Sequence, residues 1–95
     1  MRVVVVTKDN TDYARSVTMF LNDFARQTGR VLETLDPETP DGASFCRTYD
    51  IVEYPSVVAL SNDGQMQMMW RGTTLPTISE VDYYVSQNKG IFYPS

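Results

Sequence analysis

The segment that most limits the fold of this chain is Tyr54-Pro55-Ser56-Val57-Val58-Ala59-Leu60, followed at once by Asn62-Asp63-Gly64. Proline has no N–H to give to a sheet ladder, so Pro55 cannot sit inside a central strand. It can open one, and the strand formers behind it predict a buried strand over residues 56–61. The Asn62-Asp63-Gly64 run predicts a tight hairpin into a second strand, Gln65–Arg71. A chain that must turn sharply into a strand at a proline is a place for a cis X–Pro bond, which is expected at Tyr54-Pro55. Pro55 therefore fixes one corner of an α/β fold before anything else is known.

The rest of the chain supplies elements that fit around this corner. Arg2-Val3-Val4-Val5-Val6-Thr7 is a continuous β-branched run, the pattern of a strand buried on both faces. Asp9-Asn10-Thr11 offers N-cap oxygens to a long helix. Its apolar stripe is Tyr13, Val17, Phe20, Leu21 and Phe24, with Gly29 as the expected C-cap. Val31–Leu35 predicts a short second strand, and strand–helix–strand order implies a right-handed crossover to a parallel partner. Thr39-Pro40 predicts the start of a second helix through Ala43, Cys46 and Tyr49, weakened by Gly42. In Gln65–Arg71, period two places Met66, Met68 and Trp70 on one helix-covered face and leaves Met69 on the other. Thr77-Ile78-Ser79-Glu80 fits a capping box for a last helix carrying Ile78, Val81 and Val85 and stopping near Lys89-Gly90.

Composition narrows the chemistry. Ninety-five residues predict one domain over 1–95, burying about 60–65% of its unfolded surface. The net charge is −4, and Arg2, Lys8, Arg15, Arg26, Arg30, Arg47, Arg71 and Lys89 are scattered singly. With no basic stripe, neither nucleic acid nor an anionic membrane is an expected partner. There is no histidine and one cysteine, Cys46, which excludes histidine triads, an internal disulfide and a cysteine-built metal site. No cofactor is expected. Four valines are too short for a signal or membrane segment, so cytoplasmic residence is expected.

The order β-α-β-α-β-β-α, together with Tyr49 to Leu60 around Pro55 and Gly72 before the last helix, resembles the thioredoxin-like superfamily. The first half, Val5-Val6-Thr7-Lys8 leading into a four-residue motif and a helix, looks more like glutaredoxin. The resemblance implies a four-stranded mixed sheet flanked by helices. It also implies that a Cys-x-x-Cys pair should face Pro55. Here that place reads Thr11-Asp12-Tyr13-Ala14, without sulfur, so a dithiol–disulfide cycle within the chain is excluded.

What remains of the implied site is a set of binding candidates: Lys8, Thr11, Asp12, Tyr13, Tyr54, Pro55, Thr73 and Thr74. In the resembled family, the backbone beside the cis proline pairs with an extended peptide or with glutathione, a contact that needs no thiol. The plainer reading of Pro55 is a structural turn. Tyr54 can stack on a ligand or plug the groove. Lys8 matches a lysine that holds glutathione's carboxylate, but Gly72-Thr73-Thr74 stands where an acidic complement is usual, which favours a solvated surface lysine. Thr11 is better explained as a helix cap than as a nucleophile, for want of a base. Cys46 reads as a small buried hydrophobe, with a reactive or dimer-forming thiol as the alternative. The apolar tail Ile91-Phe92-Tyr93 either docks on the domain or offers a handle to a partner.

Three functions compete. The first is a non-catalytic domain binding a protein or peptide beside Pro55. The second is a single-thiol redox sensor or glutathione-related relic using Cys46 or Lys8. The third is an assembly subunit forming a homodimer through strand four or the tail.

Overall fold

The computed structural model describes residues 1–86. Two strands form its centre, β1 (Arg2–Val6) and β3 (Ser56–Leu60), paired antiparallel with Val4 opposite Val58. Between them in sequence come α1 (Ala14–Thr28), β2 (Glu33–Leu35) and α2 (Pro40–Tyr49). β4 (Met66–Arg71) and α3 (Ile78–Val85) follow. β2 lies parallel to β1, β4 antiparallel to β3, and the sheet order is β2-β1-β3-β4.

Strand alternation sends Val3, Val5, Val57 and Ala59 to one face, where they meet Val17 and Phe24 of α1 and Val81 of α3. Val4, Val6, Val58 and Leu60 go to the other, against Phe45 and Cys46 of α2 and Ile51. With helices on both faces, every residue of β3 and all but Arg2 of β1 are buried. That is why neither strand alternates in hydropathy.

The helix ends follow local chemistry, with one correction. Neither Thr11 nor Asn10 caps α1. The N-cap position is Tyr13, with no side-chain hydrogen bond, and the Thr11 hydroxyl instead donates to the Lys8 carbonyl at 3.1 Å. Asn10 takes a left-handed φ of 58°, which asparagine tolerates. The turn takes up the Thr11 hydroxyl three residues before the helix begins. At the far end, Gly29 (φ 74°) caps through its N–H to Ala25.

α2 starts where Thr39-Pro40 indicates. The Thr39 hydroxyl accepts from the Gly42 N–H at 3.1 Å and donates to the Asp36 carbonyl at 2.7 Å. Thr39→Ala removes both bonds and is expected to cost about 1 kcal/mol, the usual loss for an N-cap. A urea midpoint unchanged from the parent would remove this cap from the account. α3 begins with the Thr77/Glu80 capping box, both of whose bonds are present. Its predicted end near Lys89-Gly90, and the tail, lie outside the described residues.

Two strand expectations are overturned. β2 starts at Glu33 rather than Val31, because only Glu33–Leu35 find partners on β1, and Val31 is left 89% exposed. β4 does not keep strict alternation. A bulge opposite Ala59/Leu60 pairs Met66 with Leu60 and Met68 with Ala59, inserting one residue and breaking the period. Of the predicted helix-covered trio, Trp70 is half-buried against the α1/α3 cluster, while Met66 and Met68 remain exposed. Met69 packs on the α2 side.

Candidate functional site

The corner at Pro55 is assembled from three loops. The Tyr54-Pro55 bond is cis, and Pro55 itself is fully buried at the entrance to β3. Its carbonyl accepts the Gly72 N–H at 2.8 Å, tying the loop after β4 to the loop before β3. Gly72 has φ 84°, where a side chain is strained, and a Cβ there would lie 2.8 Å from a Glu53 carboxylate oxygen. Glu53 is anchored in turn by its carbonyl, which accepts the Ser56 hydroxyl at 2.5 Å. Thr73 and Thr74 follow Gly72 and are exposed. Among the described residues, the Tyr54 N–H and C=O have no backbone partner.

The Tyr54 side chain is half-buried and turned toward α2. Its hydroxyl reaches the Ile51 carbonyl at 3.5 Å, the outer limit for a hydrogen bond. Burial first, then the neighbouring Cys46 thiol and Tyr13, hold this phenol above its ordinary pKa. With Pro37, Cys46, Ile51 and Val52, Tyr54 lines a shallow pocket of about 310 Å³.

Lys8 is not a solvated surface lysine. Its ammonium sits 5.3 Å from the centre of the Tyr54 ring and 3.5 Å from a Glu38 carboxylate oxygen. A cation over an aromatic face contributes about 0.5–1 kcal/mol at such partly exposed sites. The ring also supplies this charge with a partner inside the protein. Glu38 is the residue sequence reading missed. It lies thirty positions from Lys8, and no local pattern announces the pairing. Glu53 was missed too, although its place beside Tyr54 was a clue.

The remaining candidates divide. Thr11 is half-buried and bonded to Lys8, and Asp12 is exposed. Tyr13 packs against the α1/α3 cluster, and its hydroxyl, like that of Thr7, is buried without a hydrogen-bond partner among the described residues. The structure thus brings Lys8 and Tyr54 together, sets Tyr13 where it acts electrostatically on the Tyr54 phenol, and joins Pro55 to the Gly72 loop. The Thr11 hydroxyl meets Lys8 at its main-chain carbonyl, and among the described residues no hydrogen bond, ion pair or ring contact joins Asp12, Thr73 or Thr74 to this group. Cys46 is 7% exposed, on the inner face of α2.

No family model matches the sequence, and no curated protein matches it. Among solved structures, the fold is similar to thioredoxin 1 from the thermophilic eubacterium Thermosipho africanus, with a TM-score of 0.62 and 15% identity over 90% of each chain. It is similar to a malarial protein at a TM-score of 0.61 and 11% identity, over 87% of this chain and 90% of that one. It is also similar to a thioredoxin from Thermus thermophilus at a TM-score of 0.56 and 15% identity, over 87% of this chain and 69% of that one. The fold is thioredoxin-like: a four-stranded mixed sheet with three helices. At these identities the likeness concerns the fold alone. Among the described residues, no helix is long and apolar enough to cross a membrane.

Proposed function

We propose that this chain is a non-catalytic thioredoxin-like domain that binds an extended protein or peptide segment beside Tyr54-Pro55. The observation that supports it is the main-chain edge at Tyr54, whose N–H and C=O have no backbone partner while Pro55 next to it is already bonded to Gly72. An extended segment laid along this edge makes strand-like hydrogen bonds, which need no particular side chain on either partner. The exposed Asp12 and Thr73 are the proposed flanking contacts. Lys8 serves the site indirectly, holding the Tyr54 ring aside rather than meeting a ligand carboxylate. With Thr11 and Ala14 at the motif and one cysteine in the sequence, binding is the chemistry left to the corner.

The test is a peptide of about eight residues selected from a random library on the intact protein. Bound peptide is expected to shift the Tyr54 and Thr73 amide resonances. Tyr54→Pro, which removes the N–H, should weaken it about tenfold, the loss of one main-chain hydrogen bond. Tyr54→Ala keeps that N–H and should retain more of the affinity. Shifts confined to other surfaces, or equal binding by Tyr54→Pro, would sink the reading.

A further inference from the structure

The shallow pocket of about 310 Å³ at the Tyr54 side chain is lined by Pro37, Cys46, Ile51, Val52 and the tyrosine itself. Its size is at the bottom of the range that holds whole small molecules, so it is roomy for a single side chain. Cys46 and Ile51 are buried, whereas Val52 stands 80% exposed. Covering that isopropyl group removes apolar surface from water. The charges around the pocket come with both signs. Arg47 and Asp50 line it as exposed residues, and Lys8 beside the Tyr54 ring is paired with Glu38. No single sign prevails to hold an ion, and a charged side chain placed there loses hydration without a dedicated partner.

We propose that this pocket receives one aliphatic side chain, of leucine, isoleucine or methionine, from the extended segment beside Tyr54-Pro55. The inference rests on that reading of the Tyr54 edge and adds its specificity. Pairing geometry delivers the side chain. The Tyr54 N–H and C=O have no backbone partner among the described residues, and in an antiparallel pair one residue exchanges both such bonds with the residue opposite. Directly opposed residues carry their side chains on the same face, with Cβ atoms about 4.5–5.5 Å apart. The residue opposite Tyr54 therefore projects where the Tyr54 ring projects, and that ring is a wall of the pocket. The Lys8 ammonium and the hydroxyl contact with the Ile51 carbonyl hold the ring at this wall. Main-chain bonds then supply affinity for any sequence, and the pocket selects among sequences.

The probe is the peptide selected from a random library on the intact protein. Selected sequences are expected to carry leucine, isoleucine or methionine at one fixed position. Alanine at that position should weaken binding about tenfold, within what burial of such a side chain contributes. In the complex, the methyl protons of that residue should show nuclear Overhauser contacts to the methyl groups of Ile51 and Val52. Val52→Asp, at an exposed position, should weaken the aliphatic peptide about tenfold and leave the alanine version unchanged, because the two changes act on one contact. The subsite is overturned if binding shifts the Tyr54 amide while no position selects an aliphatic residue. It is equally overturned if that residue's methyl protons make no contact with Ile51 or Val52. In both cases the main-chain reading of the edge stands. If bound peptide leaves the Tyr54 amide unshifted, the edge reading and the subsite fall together.

Discussion

Gly42→Ala is expected to destabilise the protein by about 3 kcal/mol, the upper part of the range for forcing an extra methyl into a packed site. Helix propensity alone predicts the opposite, a gain of about 1 kcal/mol, because glycine is the poorer helix former. Space decides between them. A Cβ at Gly42 would lie 1.8 Å from the Asp36 carbonyl oxygen and 2.5 Å from its carbon. Both are backbone atoms, and the same carbonyl already accepts the Thr39 N–H and hydroxyl. The turn before α2 cannot yield without losing those bonds and loosening the Thr39 cap. Equilibrium unfolding in urea checks the sign: a variant as stable as the parent would mean that the β2–α2 turn does not approach the helix this closely.

Phe24→Ala is expected to cost about 3–5 kcal/mol, the cost of emptying a buried aromatic site that cannot collapse. Phe24 is fully buried, sits on α1 against the sheet, and shares its cluster with Val3, Val5, Val57, Ala59 and Val81. Strands on one side and α3 on the other limit how far the void can close. For a domain whose total stability lies within about 5–15 kcal/mol, that loss removes a large share. The readout is the urea midpoint with the slope unchanged. A loss below about 1 kcal/mol would contradict the placement of Phe24 and with it the packing of α1 on this face. Phe20, half-buried with its ring 6.2 Å from that of Phe24, gives a milder comparison.

What was legible in the sequence came from signals confined to a few neighbouring residues. The Val3–Val6 run, the α1 stripe, Thr39-Pro40, the Thr77/Glu80 box and Pro55 ahead of its strand each carry their meaning within about a dozen positions. What was not legible depends on distant partners. Val31 belongs by propensity to β2, yet pairing with β1 begins only at Glu33 opposite Val4, and nothing local to Val31 announces that limit. The bulge in β4 comes from its register with Ala59 and Leu60, and nothing in Met66-Gln67-Met68 announces it. At the candidate site, Lys8 and Tyr54 were singled out separately, and only the fold sets them in contact. Their third member, Glu38, carried no sequence signal. Gly42 was misjudged for the same reason, since its neighbour Asp36 lies across a turn.

The hydrogen bond between the Pro55 carbonyl and the Gly72 N–H has a consequence for how freely this corner can be rewritten. It joins main chain to main chain, so no side chain takes part in the bond itself. Asp12, Thr73 and Thr74 are exposed and bear no part of that frame. A rim whose skeleton and decoration are encoded by different residues suits combinatorial variation. Thr73 and Thr74 can therefore be exchanged without touching that bond, while Pro55 and Gly72 keep the two loops joined.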